Sequence, residues 1–313
     1  MQKPRDPEQH SGEASAGALL EAVPNVSEGR DGDAIAAIGR VLARGTRLLD
    51  IHSDPDHGRS VFTLVGEPQA LADALIGGAR ETVARVDVRD HNGVHPCIGA
   101  LDVVPVVYLR QEQRALACDE ALAVANRLAG ELDLPVFLYG ELASAPERRE
   151  RAFFREGGVR ELGERLASRE VEPDFGPAWL HPTAGAVLVA ARPPLVAFNL
   201  ELGTDDLAVA RKIAARVREQ GGGLPGVRAI GVKLERKGIV QLSMNVHDPL
   251  ALPLAEVVRA VRRVASRVRV EVVAGELVGL APEAALESFP DDLPLRGFDP
   301  RRHLLESHLG VGS

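Results

Sequence analysis

The spacing of apolar residues in this chain switches repeatedly between the period of two that suits a strand and the period of about 3.6 that suits a helix. Leu20 to Val23 reads as a short strand ended at Pro24, and Ile35, Ile38, Val41 and Leu42 recur at helical spacing up to Gly45. Arg47 to Ile51 and Val61 to Val65 read as strands flanking the polar loop HSDPDHG; Ala70 to Arg85 reads as a helix. Leu101 to Leu109, a helix from Glu112 to Leu132, and Val136 to Tyr139 complete the set. A related order returns further on. Gly185 to Leu202 reads as two strands turned at Pro193-Pro194, Asp205 to Glu219 as a helix, and Val227–Leu234 with Ile239–Asn245 as a hairpin. Leu252 to Arg267 reads as a helix and Val268 to Val273 as a strand. The order ββαββαβ contains the split βαβ pattern of ferredoxin-like sheets.

At 313 residues the chain is long enough for two cores. The expected division is a disordered tail over 1–18, subdomains over 19–180 and 181–290, and a C-terminal extension over 291–313, with a charged helical stretch from Pro146 to Glu170 before the boundary. The expected fold is α/β (α+β), with two ferredoxin-like split βαβ subdomains facing each other across a ligand cleft, the usual place for a small-molecule site.

A net charge of −8 and 4% aromatic residues remove the electrostatic and stacking case for nucleic-acid binding. No apolar run reaches the roughly 18 residues of a membrane helix, and Met1 to Gly17 has no hydrophobic stretch, so neither a span nor a secretory signal is expected. Two cysteines, Cys97 and Cys118, fit neither a disulfide scaffold nor a zinc site, which points to a reducing, cytoplasmic compartment. Of 37 basic residues 33 are arginine, some of which could clamp carboxylates bidentately.

Four of nine histidines fall in two turn-rich loops, His52 and His57 in DIHSDPDH and His91 and His95 in RDHNGVHP. Three readings fit them. His95, held extended before Pro96, could be a general acid/base with Asp87, Asp90 or Asp102 nearby. The set His52, Asp54, Asp56, His57, His91 and His95 could bind a metal, although Gly93 and Pro96 oppose the helix that would align His91 with His95. The rings could also simply bond neighbouring turns. Gly221 to Gly223 follows a helix and reads as a stop, not a phosphate cradle. No nucleophile elbow appears, and Cys97 reads as a small buried residue.

Several segments, in order, resemble the glutamate formimidoyltransferase family, folate-dependent enzymes of histidine breakdown. They are VPNVSEG (Val23 to Gly29), RSVFTLVG (Arg59 to Gly66), HNGVHPCIGALDVVP (His91 to Pro105), LPVFLYGE (Leu134 to Glu141), PDFGP (Pro173 to Pro177), AFNLEL (Ala197 to Leu202), REQG (Arg218 to Gly221) and GELVGLAP (Gly275 to Pro282). The resemblance implies two α/β subdomains with a ligand tunnel between them and His95 as catalytic general acid/base. It places folate on the segment Gly176, Pro177, Ala178, Trp179, Leu180, His181, Pro182, Thr183, Ala184 and Gly185. It also makes Arg192, His52 and Asp50 substrate-site candidates. Relatives often carry arginine where this chain has Cys97. Trp179 is expected either to touch folate or to anchor the junction of the halves. The implied reaction moves a formimino group from N-formimino-L-glutamate to N5 of tetrahydrofolate as co-substrate, through an imidazole titrating near neutrality, with no metal. The alternatives are a metal-dependent hydrolase of a formimino or amide-like bond and a non-catalytic folate-binding paralogue. No cyclodeaminase is expected after Ser313, no nucleic acid or membrane partner is expected, and a homodimer is a candidate assembly.

Overall fold

The computed structural model describes residues 19–309, so the expected tail over 1–18 and the end of the 291–313 extension lie outside the described residues. The strands are β1 (Leu20–Ala22), β2 (Asn25–Val26), β3 (Arg47–Asp54), β4 (Arg59–Gly66), β5 (Leu101–Val107), β6 (Val136–Leu138), β7 (Val187–Arg192), β8 (Val196–Leu202), β9 (Val227–Leu234), β10 (Ile239–Val246) and β11 (Val272–Val278). The helices that cover them are α1 (Gly32–Leu42), α2 (Pro68–Arg85), α3 (Arg114–Leu132), α4 (Arg151–Arg155), α5 (Gly158–Ala167), α6 (Leu207–Val217) and α7 (Leu254–Ser266).

Two sheets form. In the first, β3 pairs with β4, β1 and β2 lie between β4 and β5 on either side of the Pro24 break, and β7 then β6 continue beyond β5. The second runs β11-β8-β10-β9, all antiparallel. Each half thus contains the order βαββαβ, with the first extended by the parallel strands β6 and β7.

The sequence suggests two strands over Gly185 to Leu202, turned at Pro193-Pro194 and both in the second half. The pairing corrects this: β7 lies parallel between β5 and β6 of the first sheet, and β8 is central in the second. Residues 193–195 therefore cross between sheets. A proline pair keeps the backbone extended, so it serves a crossing as well as a turn. Two smaller corrections follow the same logic. The helical stretch 146–170 is broken at Gly157 and Gly158, both at positive φ, into α4 and α5. The strand expected over 268–273 begins only at Val272, after Arg269 at φ 57°.

Alternation along the strands sorts the residues into faces. On one face of the first sheet, Ala22, Phe62, Leu64, Val104 and Val106 form a core with α1, α2 and α3. On one face of the second, Phe198, Leu200, Leu242 and Val246 pack with α6 and α7. A third cluster, around Phe137, Phe154, Leu162 and Leu188, seats α4 and α5 on the other face of the first sheet, towards β6 and β7. The remaining inward positions carry Glu21, Asn25, Thr63, Asn199 and Gln241, all buried and polar. Buried polar groups need partners or a ligand, so this is where a site belongs. No helix among the described residues is long and apolar enough to cross a membrane.

Candidate active site

A cavity of about 1130 Å³, counting its solvent-open part, is lined from both sheets: by Glu21, His52, Arg59, Thr63 and His95 on one side and by Asn199, Ser243, Asn245 and Glu276 on the other. Leu305, from the C-terminal extension, closes part of the wall.

The two histidine loops touch. Gly93 lies so close to His57 that a Cβ there would fall 2.1 Å from the His57 carbonyl oxygen, and Val94 N–H donates to Asp56 O at 2.9 Å. Glycine between His91 and His95 is thus a steric requirement of this contact. His91 points its Nδ1 towards Ser27 O at 3.4 Å and does not line the cavity.

His95 is set by a buried charge cluster. Asp102, with no exposure, accepts Ile98 N–H at 3.0 Å, Arg59 Nη1 at 3.0 Å, and Arg155 Nη2. Arg59, so held, donates Nε to Asn25 Oδ1 at 2.8 Å and brings Nη1 to 2.9 Å from His95 Nδ1. His95 Nδ1 also lies 2.9 Å from the Pro96 carbonyl oxygen. Burial and the Arg59 and Arg155 guanidiniums hold the His95 pKa well below that of a free imidazole. The expected near-neutral titration is therefore corrected, because positive neighbours disfavour the imidazolium. Asp87 and Asp90, expected as possible partners, are not among the groups that contact His95; Asp87 pairs with Arg89 instead.

Beside His95, His57 is 6% exposed, with ring centroids 6.0 Å apart. Its Nε2 meets Gln241 Oε1 at 3.0 Å, and Gln241 Nε2 donates to Glu276 Oε2 at 3.2 Å, so the second sheet holds a side chain of the first. Asp54 fixes the loop by accepting the backbone N–H groups of Asp56 and His57, each at 2.8 Å, and Lys237 Nζ at 2.8 Å.

At another part of the wall, Arg151 and Arg192 form no ion pair with any described carboxylate. Both also line a second opening of about 1020 Å³, shared through Tyr139 and Leu195. Burial pushes Glu21 up to about 7, offset in part by Arg192.

Of the substrate-site candidates, His52 and Arg192 line the cavity; burial lowers the His52 pKa against the pull of Glu276, Asp50 and Asp54. Asp50 instead lines a shallow pocket with Arg302 and His308. Gly176 to Gly185 does not line the cavity. Its end is built into the first half, where Ala184 is buried in the core, Gly185 bridges to Gly99 and Leu180 sits against Gly163. Trp179 is 67% exposed, so it is not an anchor at the junction. Cys97 is buried and, with Asp102 nearby, its thiol is pushed up to about 11, which keeps it protonated. Among the described residues no group of three or more His, Cys, Asp or Glu is placed to hold a metal ion.

Sequence reasoning missed Glu21, Arg59, Arg151, Gln241 and Glu276. Glu21 carried a signal, a carboxylate between apolar neighbours in β1; Gln241 alternates with Ser243 and Asn245 along β10 as in an ordinary half-exposed strand, and Arg151 carried none among so many arginines.

A family model for the N-terminal subdomain of the formiminotransferase domain matches residues 19–192, and one for the formiminotransferase domain matches residues 197–290. The crossing at 193–195 separates the two matches. The chain is 38% identical over 295 residues to a glutamate formimidoyltransferase of Streptococcus pyogenes serotype M1, covering 93% of this chain and 98% of that one. It is 36% identical over 286 residues to a glutamate formimidoyltransferase of Thermoplasma acidophilum, covering 90% and 94%. A formimidoyltransferase-cyclodeaminase of Rattus norvegicus is 39% identical over 280 residues, covering 86% of this chain and 51% of the relative.

Proposed function

The chain belongs to the formiminotransferase domain family, and from that premise we propose that it transfers a formimino group from N-formimino-L-glutamate to N5 of tetrahydrofolate, a step of histidine breakdown. The observation that carries the reading is the pairing, in one cavity, of a neutral imidazole with two guanidiniums, Arg151 and Arg192, that have no ion-pair partner among the described residues. Both substrates are carboxylates, and arginine forks hold carboxylates bidentately. The local positive field at Arg151 and Arg192 offsets the net charge of −8.

In this reading N5 attacks the formimino carbon to give a tetrahedral adduct, and His95 takes the N5 proton. The two contacts at Nδ1 ask opposite things of the ring. The Pro96 carbonyl only accepts, and favours the tautomer with Nδ1–H and a basic Nε2. Arg59 only donates, and repels the imidazolium once Nε2 has been protonated. His95 is thereby a base that takes a proton and does not keep it. Acid/base help of this kind supplies about 10²–10⁴-fold, the remainder coming from holding two substrates together.

The folate assignment for Gly176 to Gly185 remains part of the proposal, supported by the exposure of Trp179 and by the Gly185–Gly99 bridge to the chain leaving His95. A cytoplasmic location accords with two free cysteines. The test is release of glutamate from formiminoglutamate by purified protein, with and without tetrahydrofolate. Folate-dependent release supports the reading; no release at any folate concentration overturns it.

A further inference from the structure

We propose that His57 is a second catalytic imidazole, which delivers a proton to the departing glutamate nitrogen while His95 takes the proton from N5. The inference rests on the transfer reading above and deepens it.

The geometry begins with Gln241. Its amide sits between His57 Nε2 and the Glu276 carboxylate, at 3.0 and 3.2 Å. Flipping the amide would set its oxygen against the carboxylate, two acceptors face to face, so the NH₂ must face Glu276 and the oxygen must face His57. His57 Nε2 therefore carries a hydrogen, and Nδ1 is the nitrogen through which this ring exchanges protons with a ligand. Asn199 Nδ2 adds a donor to the same Glu276 oxygen at 3.0 Å, which fixes the far end of the relay. A carboxylate held behind an imidazole, here through one amide, orients the ring and stabilises its protonated form in the transition state.

His57 is also rigid. Its backbone N–H is bound by Asp54, Asp54 is bound by Lys237 from the β9–β10 hairpin, and Arg236 N–H of the same hairpin donates to Asp56 Oδ1 at 3.1 Å. The charged and titratable groups around the ring are Asp54 and Asp56 on its own loop, Lys237 on the hairpin, Glu276 behind Gln241, and the neighbouring His95 with Arg59 against it. An exposed loop histidine needs none of this bracing; a proton donor that must meet one atom of a bound substrate does.

The step balances as follows. The N5 lone pair forms the new C–N bond, and the C=N π pair moves to the terminal nitrogen. The N5 proton passes to His95 Nε2. His57 enters the step as the imidazolium, with a hydrogen on each ring nitrogen; its Nδ1 proton passes to the glutamate nitrogen, the C–N bond to glutamate breaks with its electron pair on that nitrogen, and the terminal nitrogen re-forms C=N. One proton has left N5 and one has reached the amine. His95 then holds one proton more and His57 one fewer, and both reset by exchange with solvent water.

The experiment compares wild type, His57→Gln and His57→Ala for kcat and KM, with folinate binding read as a thermal shift. Gln can still bond Gln241 but cannot carry the proton. The expected result is a kcat lower by at least ~10²-fold with KM within ~threefold, and recovery of His57→Ala by at least ~tenfold with added imidazole. A His57→Gln enzyme within ~threefold of wild-type kcat overturns the inference. Should His57→Gln fail to bind folinate, His57→Ala decides, and absence of imidazole rescue in a folinate-binding His57→Ala overturns it equally. An inactive wild type removes the transfer reading and this inference with it, whereas an active wild type with unimpaired variants removes the inference alone.

Discussion

Arg59 Nη1 stands 2.9 Å from His95 Nδ1, so a permanent cation lies against the imidazole that is proposed to take up a proton. The positive charge lowers the ring's affinity for that proton. Arg59→Gln removes one of the two guanidiniums and should raise the His95 pKa. The acid limb of the kcat/KM profile then moves to higher pH than in wild type. A limb that stays in place would show that Arg59 does not set the titration of this base.

Asp102 is the counterpart to that charge. It has no exposure and serves both Arg59 and Arg155, so Asp102→Asn leaves two guanidiniums close together without an anion. A loss of about 3–5 kcal/mol of stability is expected in urea denaturation. The guanidiniums hold the Asp102 pKa below the ordinary carboxylate value, so its stabilisation is complete above about pH 4 and is lost as pH falls through the lowered native value. The gap between wild type and variant should accordingly be constant from neutral pH down to about 4 and narrow only below it.

His95→Ala should lower kcat by at least ~10²-fold with folinate affinity nearly unchanged. His91→Ala should cost far less, since His91 shapes the loop and faces Ser27 O rather than the cavity. Steady-state kinetics of the pair decides the matter, and equal losses would place His91 in the chemistry.

Glu21 titrates at about 7 in the cavity, beside Arg192. Below that pH it is neutral, and Arg192 is left to an anionic ligand; above it the carboxylate competes. Folinate binding measured by calorimetry should weaken as pH rises through about 7. Glu21→Gln should flatten that dependence, and a variant with the wild-type slope would exclude Glu21 as its origin.

Trp179 is the chain's single tryptophan and is 67% exposed. If Gly176 to Gly185 meets folate, saturating folinate should quench its emission after correction for absorbance. Trp179→Phe should then weaken binding by about 1 kcal/mol. Unchanged emission at concentrations that inhibit turnover would separate the segment from the folate site.

Much of this was legible in the sequence because both halves announce their order through apolar period, and the HNGVHP motif marks His95. What sequence could not supply was pairing between distant strands. Val187–Arg192 looked like half of a hairpin because parallel partners leave no local trace, and its partners β5 and β6 lie far back in the chain. The same blindness hid the His57–Gln241–Glu276 line, since Gln241 and Glu276 acquire meaning only when two sheets are known to present their polar faces to each other. Arg59 stood inside a quoted motif, yet its role depends on Asp102 and His95 converging from other segments.

Only three residues, Pro193 to Leu195, join the end of β7 to the start of β8. Four peptide steps reach at most about 14 Å, so Arg192 and Val196 cannot draw further apart however the halves move. Near Arg192 the gap between the sheets is limited by covalent bonds rather than by contacts. The halves can pivot about this tether but cannot part there, so admission of a bulky ligand becomes a question of angle, and substitutions that loosen the packing elsewhere cannot lengthen this span.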